Sequence, residues 1–386
     1  MRIARSTPRA TLVLVLAFSA SAFSPLSLLA ESEGTLERPT PANLERKGVL
    51  SALVTEEHGR SVDRGLAFLV TQQDPDSGAF GAPKARVAVT ALSCLALLAS
   101  GSTPGRGPYG DQVERGIAYL LRHCRPMKAG LSDPESERYY INASEDQISR
   151  MHGHGFATLA LSEAYGMARG ATASISPDEL AQKIQGAVDL IVAVQTRDGG
   201  WGYEPEDDGF HEGSITVCQL QALRSAKDAG FRVDIKTIEK ALDYLRRSQD
   251  PDGGFRYSLR DARKTYALTA AAVSTLNAIG IYDQDMVDRG IDYMERHLVT
   301  DPAAEEWFYY GNLYACQAFY QHRQGHRFER WFTTIRSRLI DRQGRKGSGA
   351  WEAEHQLEHP YGPAYATSCA LLVLQVPYQY LPIFQK

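Results

Sequence analysis

The sequence predicts an all-α toroid, an α6/α6 arrangement of two concentric rings of six helices built from about six helical hairpins. Three observations predict it. First, RGLAFLVTQQDPDSGAF (Arg64 to Phe80) and KALDYLRRSQDPDGGF (Lys240 to Phe255) both run nine residues from a basic start to Gln73 or Gln249, then turn through Gln-Asp-Pro-Asp. GAVDLIVAVQTRDGGW (Gly186 to Trp201) keeps the step to Gln195, and worn copies begin at Arg115, Arg289 and Thr334, the last running on to Trp351. The starts lie 45 to 71 residues apart, the period of a hairpin that cannot bury its apolar face alone. Second, each copy hands over to a more continuously apolar helix. Third, β-strand signals are absent beyond a few residues.

The elements follow in order. The first thirty residues carry Arg2, Arg5 and Arg9 before an apolar stretch, Thr11 to Ala20, with small-residue cleavage sites at Ala20-Ser21-Ala22 or Leu28-Leu29-Ala30. This is the pattern of an export signal, placing the protein in the periplasm or outside the cell; an uncleaved N-terminal membrane anchor is the lesser alternative. Residues 31–60 read as a polar linker and N-terminal helical segment, and 61–386 as one toroid domain. The outer helices begin at the repeat starts. The inner helices are expected at Arg86 to Ala99, His152 to Met167, Ser214 to Ala229, Arg263 to Ile279, Trp307 to His322 and Tyr365 to Val376. Gly101, Gly230 and Gly280 close three of them, and Pro177-Asp178 opens an outer helix. Outer helices such as KTIEKALDYLRRSQ carry charge at helical spacing, whereas AVTALSCLALLA has little on any face. Inner helices, covered on most sides, need that difference. A polar insertion, Lys128 to Arg150, lacks repeat character and is expected to project from one end, either as a lid or as a harmless excursion.

The formal charge of −4 falls to about −7 without the signal arginines. Such mild acidity argues against nucleic acid or an anionic membrane surface as main partner, though peripheral membrane contact stays compatible with it. Cys94, Cys218, Cys316 and Cys369 sit in apolar helices and read as buried thiols; Cys124, before Pro126, reads as accessible. Each repeat Gln and aromatic has a structural role to play: the Gln amide bonds free backbone groups at a helix end, and the ring stacks toward the next hairpin.

This repeat resembles the prenyltransferase and squalene-oxidase repeat of terpenoid cyclases and protein prenyltransferase β-subunits, over nearly the whole chain after residue 60. The segments MHGHGFATLALSEAYGM, GGWGYEPEDDG and YGPAYATSCALLVLQVPYQYLPIF look like blocks of its exported, single-toroid bacterial members. Prenyltransferases hold zinc with an Asp two residues before a Cys, but here Thr216, Tyr314 and Thr367 stand at that spacing. Triterpene cyclases protonate an alkene with an Asp-x-Asp-Asp acid and carry two such barrels. This chain has length for one, and its nearest acidic run is Glu204 to Asp208. Asp207 and Asp208 are candidates for a catalytic acid, as are His152, His154 and Glu212 at the starts of inner helices. A metal-binding alternative joins His152, His154, His211, His355 and His359, the last two within a His-x-x-Glu-His match. No metal or other cofactor is predicted. Aromatic residues cluster at the same helix starts, and Tyr139, Tyr140, Trp307, Tyr309, Tyr310, Tyr361 and Tyr365 are the candidate ligand-binding residues. The expected partner is an apolar or isoprenoid-like small molecule, or else another protein. The alternative is a divergent cyclase-like isomerase or lyase, or a carbohydrate-active enzyme using Glu206 to Asp208 against Glu352, Glu354 or Glu358.

Overall fold

The computed structural model describes residues 53–127, 137–148, 150–167, 175–278, 284–344 and 348–384. The expected export signal, most of the linker, Gly280, and residues 128–136 and 149 of the insertion lie outside them. Among the described residues twelve α-helices alternate between two rings. The outer ring is α1 (Glu56–Thr71), α3 (Gly110–Arg122), α5 (Pro177–Ala193), α7 (Ile235–Ser248), α9 (Gln284–Arg296) and α11 (Gly325–Arg342). The inner ring is α2 (Arg86–Leu98), α4 (Arg150–Met167), α6 (Gly213–Asp228), α8 (Tyr266–Ala278), α10 (Phe308–Gln321) and α12 (Gly362–Gln375). Each inner helix packs on the next, and α12 returns to both α1 and α2, so the ring is closed. Among the described residues no helix is long and apolar enough to cross a membrane.

The repeat Gln is the joint between hairpins. Its Nε2 donates to the carbonyl of its own turn glycine and to a carbonyl in the first turns of the next outer helix. Gln73 reaches Gly78 and Gln112, Gln195 reaches Gly199 and Thr237, and Gln249 reaches Gly253 and Met286. Gln343 reaches Gly349 and Ser61, which makes the same joint across the seam between the last hairpin and the first. The turn glycines need positive φ, as Gly253 shows at 93°, and a Cβ there would stand 2.1 Å from the Arg289 carbonyl oxygen. The following aromatic is fixed at both ends. Trp201 and Trp351 donate Nε1–H to Ile191 and Leu339 carbonyls at 2.7 Å, in the preceding outer helix. Their backbone N–H groups donate to Thr216 and Thr367 at 3.1 Å, so the threonines found where zinc-binding carboxylates would stand hold the turn instead.

Two expectations are corrected. The described part of the insertion does not project. Strand β2 (Tyr139–Ile141) pairs antiparallel with β1 (Cys124–Pro126), and Ile141 and Ala143 are fully buried. Cys124 is not accessible, because that pairing covers it; burial pushes its thiol up to about 12. It occupies the position that Gln73 and Gln249 hold in other repeats, inside the joint. All five cysteines are free and buried.

At the end where inner helices finish, the C-terminal segment crosses the ring. Tyr378 stacks on His58 with ring centroids 5.7 Å apart, Leu381 is fully buried, and Ile383 N–H donates to Glu163. The opposite end, where the inner helices begin, carries the cavity.

Candidate functional site

The first turns of the six inner helices, with the loops that lead into them, enclose a cavity of about 400 Å³. Ala88, Val89 and Leu92 of α2 form an apolar wall with Tyr361 and Tyr365 at the start of α12. Trp307 and Tyr310 add the edge of α10. His152 and Phe156 of α4, Ser214 of α6, and Tyr203 and Tyr257 from the preceding turns form the opposite, hydroxyl-bearing wall.

Six helix N-termini converge on this end, each carrying roughly half a positive charge. Three buried carboxylates answer them at alternate inner helices. Asp146, from the insertion, accepts from Arg86 N–H at 2.7 Å and Val87 N–H at 3.2 Å at the start of α2. Glu212 accepts from Ser214 N–H at 2.9 Å and Ile215 N–H at 3.1 Å at the start of α6. Glu358 accepts from Tyr309 N–H at 3.1 Å, Tyr310 N–H at 3.2 Å and Tyr365 O–H at 2.8 Å at the start of α10. When ionised, three carboxylates offset six half-charges, which leaves the cavity end close to neutral. Burial raises all three carboxyls above the ordinary range, Glu358 to about 7, against the hydrogen bonds that pull them down.

Trp307 is held at φ 60°, ψ 42° as the residue preceding α10, with its carbonyl accepting from Gly311 N–H at 2.7 Å. A tryptophan in the left-handed region is costly and persists only where the surroundings over-determine it. The Glu358 cap on Tyr309 and Tyr310 and the Tyr361 ring 6.1 Å away do so here.

Of the expected ligand-binding residues, Trp307, Tyr310, Tyr361 and Tyr365 line the cavity, and Tyr139, Tyr140 and Tyr309 do not. Tyr139 packs on Gly186 of α5 and donates to Glu137 at 2.7 Å. Tyr140 lies beside His154, with ring centroids 5.6 Å apart. Tyr309 is buried and donates to the Glu352 carbonyl at 2.9 Å. Being adjacent to Tyr310 on a helix, it faces about 100° away.

The proposed convergence of rim histidines does not occur. Among the described residues no three His, Cys, Asp or Glu side chains stand together as a metal site would need. His152 and His154 are two residues apart on α4, hence on opposite faces. His152 lines the cavity, while His154 turns outward and bonds Ile141 N–H at 3.2 Å and the Ala187 carbonyl at 3.3 Å. His211 lies against Asp198 and Tyr244, both at 3.3 Å. His355 accepts from Leu357 N–H at 3.3 Å in a turn, and His359 is exposed. The His-x-x-Glu-His segment is no α-helix but a turn that runs into a 3₁₀ helix (His359–Tyr361), and its glutamate is a cap. Asp207 and Asp208 lie on an exposed loop, accepting from Gly209 and Phe210 N–H at 3.2 and 2.8 Å, away from the cavity lining. Glu354 pairs with Arg342 at 2.8 Å. Sequence reasoning missed Asp146 and Glu358 as caps and Phe156 and Tyr203 as lining. Tyr203 alone left a trace, two residues after Trp201.

No family model matches the chain. Drimenyl diphosphate synthase of Streptomyces showdoensis is 26% identical over 204 residues, a match covering 52% of this chain and 33% of that enzyme. The chain thus spans about a third of the curated relative's length. In fold it is similar to a type II terpene cyclase from Scytonema, solved with geranylgeranyl dihydroxybenzoate. The TM-score is 0.54 at 14% identity, over 84% of this chain and 98% of that one. A sugar epimerase from a ruminal bacterium matches with TM-score 0.60 at 13% identity, over 84% and 98%. Sequence and fold together support the resemblance to the terpenoid-cyclase-like, or squalene-cyclase-like, superfamily.

Proposed function

We propose that this chain is an exported toroid of the cell envelope that binds an apolar or isoprenoid-like molecule in its central cavity and does not protonate an alkene. The observation that carries this reading is the cavity itself: about 400 Å³, walled by aromatic and aliphatic side chains, at an end where charges nearly cancel. Ligand pockets run from roughly 300 to 1,000 Å³. A dry cavity of about 150 Å³ takes one benzene ring, so this one has room for roughly fifteen carbons. Burying roughly 400 Å² of apolar ligand surface contributes about 10 kcal/mol. An association cost of at least about 4 kcal/mol leaves a Kd on the order of tens of micromolar. The curated relative and the terpene cyclase neighbour support an isoprenoid-like chemistry by similarity.

The absence of alkene protonation rests on Asp207 and Asp208. Their carboxylates lie on an exposed loop, where a proton donor strong enough for an alkene is not maintained. Of the four tryptophans only Trp307 lines the cavity, so its fluorescence reports occupancy. Polyprenols of about fifteen carbons should quench it. Trp307→Ala and Tyr310→Ala should weaken binding of a hydrophobic probe about tenfold, and Asp207→Asn and Asp208→Asn should leave it unchanged. Incubation with the same compounds should return them uncyclised by mass spectrometry. Cyclised product that disappears in Asp208→Asn would refute the binding reading.

A further inference from the structure

The hydroxyl-bearing wall has a direction. Ser214 Oγ touches both the Glu212 carboxylate and His152 Nε2, the latter at 3.0 Å. Two backbone N–H groups at the α6 N-terminus donate to Glu212 and favour its carboxylate form; a carboxylate can only accept, so the serine proton goes to Glu212, and His152 then donates its Nε2 proton to Ser214. This order excludes a nucleophilic serine, which needs a histidine that accepts. It also leaves the His152 Nδ1 lone pair as a buried acceptor with no donor. Burial pushes the imidazole down to about 4, so the ring is neutral at pH 7 and Nδ1 stays unprotonated. Three tyrosine hydroxyls and one cation stand nearby. Tyr310 O–H donates to the Ser214 carbonyl at 3.4 Å, and Tyr203, bonded to Tyr257 at 2.8 Å, also hydrogen-bonds the Glu212 carboxylate. Arg263, the only cation among the lining residues, is paired with Asp261 at 2.7 Å, and Glu306 stands at the same mouth.

This wall offers acceptors, with the carboxylate of Glu212 behind them. A phosphate or diphosphate brings more acceptors and negative charge beside Glu212 and Glu306, and the one lining cation, Arg263, is already paired with Asp261. A hydroxyl brings a proton: it can donate toward the second lone pair of Ser214 Oγ, the first being met by His152 Nε2. Sites built to hydrogen-bond a substrate hydroxyl discriminate strongly against analogues without it, because buried polar groups are then left unpaired.

We propose that the cavity selects an uncharged isoprenoid-like alcohol, its hydroxyl received at the His152–Ser214 pole, over the corresponding hydrocarbon or diphosphate ester. The proposal rests on the ligand-binding reading above and narrows it. Trp307 quenching is titrated with farnesol, farnesene and farnesyl diphosphate on the wild-type protein. Farnesol should bind at least tenfold tighter than either of the others, and Ser214→Ala should bring farnesol to within about threefold of farnesene while its thermal melt stays cooperative. Farnesyl diphosphate equal to or tighter than farnesol overturns the proposal and leaves apolar binding standing. Farnesene equal to farnesol overturns it in the same way. Failure of all three to bind removes the ligand-binding reading itself, and the proposal with it.

Discussion

Glu163 lies buried on α4, far from the cavity mouth, with its carboxylate accepting from Ser225 O–H at 2.6 Å and from Ile383 N–H at 3.3 Å. Burial pushes its carboxyl from 4.5 up to about 7, so the folded state binds a proton that the unfolded state releases between those values. Its contribution to stability is fully present below pH 4.5 and is lost as pH rises through about 7. Glu163→Gln removes that loss. Relative to wild type, the variant should gain stability between pH 4.5 and pH 7, on the order of 1–3 kcal/mol by urea denaturation. A difference that stays flat with pH would show that Glu163 keeps an ordinary carboxyl. His58, His152 and His154 slope the other way. Burial pushes each from 6.5 down to about 4, so they favour the fold increasingly as pH rises through that window. Burial likewise pushes Glu305 and Glu358 up to about 7, so three carboxyls oppose three imidazoles; wild-type stability should vary little between pH 5 and 6.5, and the variant should expose the slope. At this scale the sequence is legible where a residue's role is local. Trp307, Tyr310, Tyr361 and Tyr365 stand at inner-helix starts, and the repeat register places helix starts. Glu358 and Asp146 cap helices that begin about fifty or sixty residues earlier in the chain, and no spacing announces a partner that only the closed ring brings near.

The helical hairpin is held by one repeated joint, and its parts can be tested separately. Gln249 satisfies two carbonyls, Gly253 at 3.1 Å and Met286 at 2.8 Å. Gln249→Ala leaves both without this donor and should cost about 1–3 kcal/mol. Gly253→Ala should cost at least about 2 kcal/mol, since it adds positive-φ strain and a contact with the Arg289 carbonyl that no rotamer relieves. Gln72, one residue before the equivalent Gln73, bonds only the neighbouring Thr71 side chain through its amide. Its change to alanine should stay within about 0.5 kcal/mol. Equal effects of Gln72→Ala and Gln249→Ala in urea denaturation would remove the joint as the source of the periodicity. The joint explains why element order and boundaries were readable: the Gln, the Gly and the basic start are three sides of one contact, so they keep their spacing. The second and fifth repeats lack the Gln, and the second has Cys124 there with the β1–β2 hairpin built beside it. That local structure follows from the insertion folding back, a tertiary event with no periodic signature.

Closure distinguishes this molecule from an open array of the same hairpins. An open array frays from its ends, each hairpin answering only to its neighbours. Here the last joint is made with the first helix. Gln343 bonds the Ser61 carbonyl at 2.8 Å, and the Trp351 ring leaves no room for a Cβ on Gly65, which would come within 2.5 Å of it. Trp201 makes the corresponding contacts away from the seam, with the same Nε1–H bond of 2.7 Å to the preceding outer helix. Both indoles are fully buried, so Trp351→Ala and Trp201→Ala should each cost about 3–5 kcal/mol. In a closed ring the two losses are equivalent, since every hairpin has two neighbours. Urea unfolding of either variant should then remain one transition, coincident by far-ultraviolet circular dichroism and by Trp307 fluorescence. In an open array Trp351→Ala would release the terminal hairpin alone. That outcome would appear as an early transition in circular dichroism, restricted to the seam variant, and it would show that the contacts between the sixth hairpin and the first do not carry the ring.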